Sequence, residues 1–179
     1  MDYLKILRET PDLAEEFDIL FDFSLLDELT ERDEAEGRCT FTLPGMAFAR
    51  DGSGGEYHLL EDGSIGYYSS EGEAGRLAES MDDLFSLLVS CICWHDCCDT
   101  KQYVDSKTLE EYGQRQRNTN LEDMDSLRRV SDALGIPTGE PLAPVLERFR
   151  KATQREPVYQ CIFHEDDGSL TESYGLMFE

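Results

Sequence analysis

Positive charge is what this sequence has least of. Sixteen Lys and Arg stand against 39 Asp and Glu in 179 residues, a formal net charge of −23. Nucleic acids and anionic lipid surfaces are bound by neutralising phosphates with Lys and Arg, so a chain this acidic is expected to bind neither. Also missing is any apolar run of about eighteen residues, the length a membrane span needs. The start, MDYLKILRETPD, does not show the basic, apolar and small-residue succession of a secretory signal, and a cytoplasmic location is expected. Nucleotide-binding and metalloenzyme motifs are absent: there is no G-x-G-x-x-G, no G-x-x-x-x-G-K-[ST] and no H-E-x-x-H. The Asp-rich turns lack the regular series of a calcium loop. The three histidines, His58, His95 and His164, stand beside no nucleophile in the sequence. Glu71 and Glu73 are spaced like paired acid–base carboxylates but have no substrate-shaping motif around them. No enzymatic activity, catalytic residue or cofactor is expected.

Cysteine is present but clustered. Cys39 and Cys161 stand apart, whereas Cys91, Cys93, Cys97 and Cys98 fall in CICWHDCC with His95 among them. Structural zinc usually draws its ligands from two separated knuckles. Here they would share one helical stretch, on which Cys93 could meet Cys97, or Cys91, His95 and Cys98 could form a stripe. No second pair follows. The expectation is six reduced thiols in a reducing compartment, and no metal.

What is there reads as a globular protein, 40% hydrophobic and 10% aromatic. Its length suits one domain with a sizeable core, or a domain with an appended lobe. Thr10-Pro11-Asp12 combines a hydroxyl N-cap, a proline at the first helical position and an acid in the first turn. Leu13, Phe17, Leu20 and Phe21 follow at helical spacing, and Leu25, Leu26 and Leu29 continue the apolar pattern. The acid-rich ERDEAEG then reads as a solvated helix end and linker.

Residues 38–96 carry most of the information. Cys39, Phe41 and Leu43 alternate with threonines in the two-residue period of a strand. Pro44-Gly45 turns it back into a second strand, 46–49. Three glycines in DGSGG precede the strand 57–60, and Asp62-Gly63 is a strong hairpin signal leading into the strand 65–68. Together these predict a consecutive antiparallel meander. Ser80 caps a helix with Met81, Leu84, Phe85, Leu88 and Ile92 on one face, and Trp94 belongs to the end of that packing face. This ordered set of turns, followed by the A-x-S-x-x-x-L-F helix start at 78–85, resembles the SUKH superfamily. That superfamily holds bacterial toxin-immunity proteins and relatives of a fungal cell-wall-synthesis regulator. The resemblance covers about a third of the chain.

Beyond residue 100 the pattern becomes helical. A polar segment spans 108–117, and Asn120 is read as the cap of a helix with Leu121, Met124, Leu127, Val130 and Leu134 inward, stopped by Gly135 and Pro137. Leu142, Val145, Leu146 and Phe149 mark another, with Arg148, Arg150 and Lys151 at its end. Residues 158–163 and 170–178 close the chain as a hairpin.

The predicted fold is α+β: an antiparallel meander with a helix packed on one face, N-terminal helices, and a helical C-terminal extension ending in a β-hairpin. Residues 1–100 form the SUKH-like core and 101–179 the extension, packed on it as one domain. The resemblance implies an immunity protein that binds a bacterial toxin domain, such targets often being nucleases with basic surfaces, and neutralises it by stoichiometric occlusion. A regulator or scaffold binding an endogenous protein is the alternative. The acidic balance suits a basic partner. The contact residues expected are the exposed acids and tyrosines of the turns: Glu56, Glu61, Asp62, Tyr67, Tyr68, Glu71 and Glu73.

Overall fold

The computed structural model describes residues 2–32 and 38–179, so ERDEAEG, expected as a helix end and linker, lies outside the described residues except for Glu31 and Arg32. Helix α1 (Tyr3–Glu9) is capped by Asp2, whose carboxylate accepts from the Lys5 amide. Helix α2 (Pro11–Phe21) has Thr10 at its N-cap position, but the hydroxyl makes no capping bond. At Asp22 the backbone turns left-handed (φ 50°) and the helix ends. Leu25, Leu26 and Leu29 therefore lie not on a helix but in strand β1 (Ser24–Thr30).

Strands β3 (Gly45–Arg50), β4 (Glu56–Leu60), β5 (Ile65–Tyr68) and β6 (Ala74–Ala78) form the meander, and β1 pairs antiparallel with β3 at its edge. The expected first strand, β2 (Cys39–Phe41), does not join this sheet. It pairs with β7 (Cys161–His164), itself paired with β8 (Leu170–Glu172), in a separate three-stranded sheet. Phe41 explains the departure. Its ring meets His58 and Tyr68 edge-on and stacks on Tyr159 at 5.7 Å, so β2 crosses the face of the larger sheet instead of extending its edge.

The two faces of the large sheet follow from strand alternation. Tyr57, Ile65, Tyr67 and Leu77 face helix α3 (Met81–Cys91) and the N-terminal helices, in a core that includes Phe17, Phe23 and Phe85. Ser80 accepts from the Asp83 amide and caps α3 as expected. Helices α4 (Ser106–Asn120), α5 (Met124–Leu134) and α6 (Leu142–Thr153) extend the same core through Leu109, Leu127 and Phe149. Asn120 is the last residue of α4 and not a cap; Asp123 caps α5 by accepting from the amides of Asp125 and Ser126. No helix among the described residues is long and apolar enough to cross a membrane.

The opposite face carries polar residues that the second sheet seals. His58, fully buried, has Nδ1 2.5 Å from the Tyr159 hydroxyl and Nε2 3.1 Å from Glu56, which also accepts twice from Arg50. A neutral ring satisfies both neighbours, donating to Glu56 and accepting from Tyr159. Burial holds the His58 pKa below its ordinary value, against the opposing pull of Glu56. The unfolded chain then binds the proton more readily, so stability is complete above about pH 6.5 and falls as pH drops through the depressed folded value. His95 is shifted in the same direction. In urea titrations between about pH 7.5 and 5, His58→Gln should reduce the acid-side loss without removing it. An unaltered slope would show that His58 does not titrate with unfolding.

Candidate functional site

A groove of about 610 Å3 opens at one end of the large sheet, where three segments distant in sequence meet. The first is the β5–β6 turn. Ser69 accepts from the amides of Glu71 and Glu73 and donates to the Glu73 carboxylate, which fixes the turn and places both acids on the groove wall.

The second segment follows α3. Ile92, at φ 68°, reverses the chain directly after the helix. CICWHDCC is therefore not one helical stretch; the Cys97 Sγ lies 3.9 Å from Cys93 O and beside the Cys91 thiol. Trp94 turns into the core and donates to the Tyr57 hydroxyl at 3.1 Å. His95 stacks on the Trp94 ring at 3.7 Å and stays at the rim. Among the described residues no group of His, Cys, Asp and Glu is arranged to hold a metal ion.

The third segment is the chain end. The Tyr174 amide donates to Gly72 O and its carbonyl accepts from Ala74, so this segment lies beside the start of β6. Phe178 continues the wall by exchanging backbone hydrogen bonds with Cys98 and Thr100. Tyr174 is 77% exposed and Phe178 58%, which makes them an unusual pair of open aromatic rings.

Beneath the groove lies a chain of three polar side chains. Asp51 accepts from the Ser53 amide and hydroxyl, from the Gly55 amide, and from the Tyr67 hydroxyl at 2.5 Å. Burial opposes its ionisation, but these bonds outweigh burial and its pKa lies below the usual carboxylate range. Tyr67 is held protonated by burial and by Asp51. Its oxygen lies 3.2 Å from His95 Nε2. The single Tyr67 proton goes to Asp51, so the Tyr67 oxygen accepts from His95 Nε2–H. Burial also lowers the His95 pKa, favouring a neutral ring whose Nδ1 is an acceptor.

A histidine, a thiol and carboxylates thus share one groove, the residue types of nucleophilic catalysis. Their geometry does not couple them. Cys98 is buried with its Sγ 3.6 Å from Trp94 O, and burial raises its pKa well above the ordinary thiol value. His95 engages Tyr67 instead. What the groove offers is carboxylates, hydroxyls and flat apolar surface.

Of the seven contact residues expected from sequence, Glu71, Glu73 and Tyr67 line this groove, Tyr67 from its floor. Glu56 and Tyr67, each 2% exposed, are corrected from contact residues to buried members of polar networks: alternation turns Tyr67 toward the helices, and the second sheet covers the opposite face, which carries Glu56. Tyr68 is half-buried against Phe41 on the far face. Glu61 and Asp62 lie at the other end of β5. Asp62 is exposed but committed, paired with Arg155 at 2.8 Å and 3.5 Å from the buried Arg76. Sequence reasoning missed Asp51, His95, Tyr174 and Phe178 as one site. The DGSGG turn signalled Asp51 locally, but nothing local brings residue 174 beside residue 72.

A second groove, of about 640 Å3, runs between α2 and α5 and is lined by Asp12, Glu15, Glu16, Ile19, Glu122 and Asp123. Two of its acids are already engaged: Glu16 pairs with Arg129, and Asp123 caps α5. Comparison of the chain with protein-family models, with curated proteins and with solved structures finds no match in any of the three.

Proposed function

We propose that the protein is a SUKH-like immunity protein that acts in the cytoplasm. It binds a basic bacterial toxin domain, nucleases among the candidates, and neutralises it by stoichiometric occlusion without turnover. One observation carries this reading. The groove gathers two open aromatic rings and two carboxylates, with no Lys or Arg among its described lining residues, on a chain of net charge −23. Aromatics supply contact area at low entropic cost, and the surrounding field speeds encounter with a basic surface. The resemblance in residues 38–96 supports the same reading.

The test is a search of the neighbouring genes for a secretion-linked toxin domain, its co-expression with this protein, and pull-down. Rescue of growth and a one-to-one complex are expected. Unchanged killing, with this protein folded and abundant, defeats the proposal. Within the complex, the association rate should fall about tenfold or more between low and physiological salt, as steering is screened. A rate indifferent to salt would remove charge from the mechanism.

A further inference from the structure

The groove's chemistry narrows what can enter it. Its polar wall is rich in acceptors and holds no cation: the Glu71 and Glu73 carboxylates, and His95 through Nδ1 once Nε2–H is given to Tyr67, stand beside the hydroxyls of Ser70 and Tyr174, which can serve either way. Its remaining wall is formed largely by Tyr174, Phe178 and Met177. The complement of such a site carries several N–H donors, positive charge and a flat face that lies against aromatic rings. A guanidinium has all three, whereas an ammonium lacks the flat face.

We propose that this groove is an arginine-binding pocket, taking one arginine side chain of the partner protein as the anchor of the interface. The proposal rests on the binding reading above and specifies its hot spot. Anchors of this type, a planar cation desolvated in a pocket near the middle of an interface, dominate protein association. The pocket is preformed. Ser69 fixes the acidic turn, the Trp94 stack and the Tyr67 contact orient His95, and backbone bonds to Gly72, Ala74, Cys98 and Thr100 hold the chain end.

The experiment titrates the whole protein with acetyl-Gly-Arg-Gly-amide and follows backbone amide and Trp94 indole resonances by NMR. A parallel titration uses the same peptide with citrulline, which keeps the shape and loses the charge. The arginine peptide should shift His95, Tyr174 and the 69–73 turn, with the citrulline peptide about tenfold weaker. Tyr174→Ala and Glu71→Gln, both at exposed side chains, should each weaken arginine binding about threefold. Equal binding of the two peptides, shifts confined to other surfaces, or no shift up to about 20 mM peptide would overturn the proposal. Capture of the toxin by a protein that ignores the arginine peptide would sink the pocket and leave occlusion standing. Arginine-specific shifts in a protein that never captures the toxin would do the reverse.

Discussion

Tyr159→Ala should cost the fold about 4 kcal/mol, whereas Tyr159→Phe should cost about 1–2 kcal/mol. The contrast comes from two separate roles of one side chain. The fully buried ring fills the space between the two sheets, stacked on Phe41 and lying directly over Gly66. A Cβ at Gly66 would stand 2.6 Å from the Tyr159 ring, so the glycine is there to let the aromatic ring lie on the strand. Alanine at 159 leaves a cavity that a sheet pinned on both sides cannot close. Phenylalanine keeps the packing and removes only the hydroxyl beside His58 Nδ1, leaving one buried acceptor unpaired. Equilibrium urea unfolding checks both values. Equal costs for the two variants would mean that the hydroxyl, and not the ring, joins the sheets.

That junction also marks where reading the sequence stopped working. The helices and the hairpins announced themselves, because periodicity and Asp-Gly turns act over a few residues. Gly135, left-handed at φ 65°, ends α5 where the sequence indicated. Some errors are local, such as Asn120 read as the cap that Asp123 supplies, but the larger ones are long-range. Cys39 and Phe41 carry an ordinary strand signal, and nothing near them says that their partner lies more than a hundred residues away in β7. Alternation marks Tyr57 and Tyr67 as facing one way and Glu56 and His58 the other. Yet both sets are buried, because the second sheet covers the face that a lone meander would leave to water. Glu56 was therefore legible as a strand residue and illegible as a buried one. Asp62 shows the same limit. Its turn was evident, but Arg76, the largest fully buried side chain, draws it into service with Ser64 and the carbonyls of Arg155 and Pro157. In the groove, Glu71 and Glu73 were found because acids in a glycine turn are conspicuous. Tyr174 and Phe178 were not, because only the folded chain end brings them there.

Gly55→Ala should damage the groove from below, at a cost of about 2–3 kcal/mol in stability. Gly55 does not need a left-handed backbone, since its φ is not among the positive ones, so alanine meets no strain in the chain itself. The obstacle is space. An added Cβ would fall 2.2 Å from the Tyr67 hydroxyl and 2.5 Å from Asp51 Oδ2, the two atoms that share the short hydrogen bond under the groove. One of them must give way. If Tyr67 moves, His95 loses the acceptor that orients it. If Asp51 moves, the 51–55 loop loses the carboxylate that accepts from Ser53 and Gly55. Either way the site loosens before the fold does, because α3 and the opposite sheet face are untouched. Gly139→Ala is the matched control, with nothing within 4 Å of its added Cβ and no positive φ. The expected pattern is a folded Gly55→Ala protein with lowered stability and at least about tenfold weaker capture of its partner, beside an unaffected Gly139→Ala protein. A Gly55→Ala variant that binds at full strength would mean the interface does not use this end of the sheet, and the acidic groove between α2 and α5 would become the surface to test.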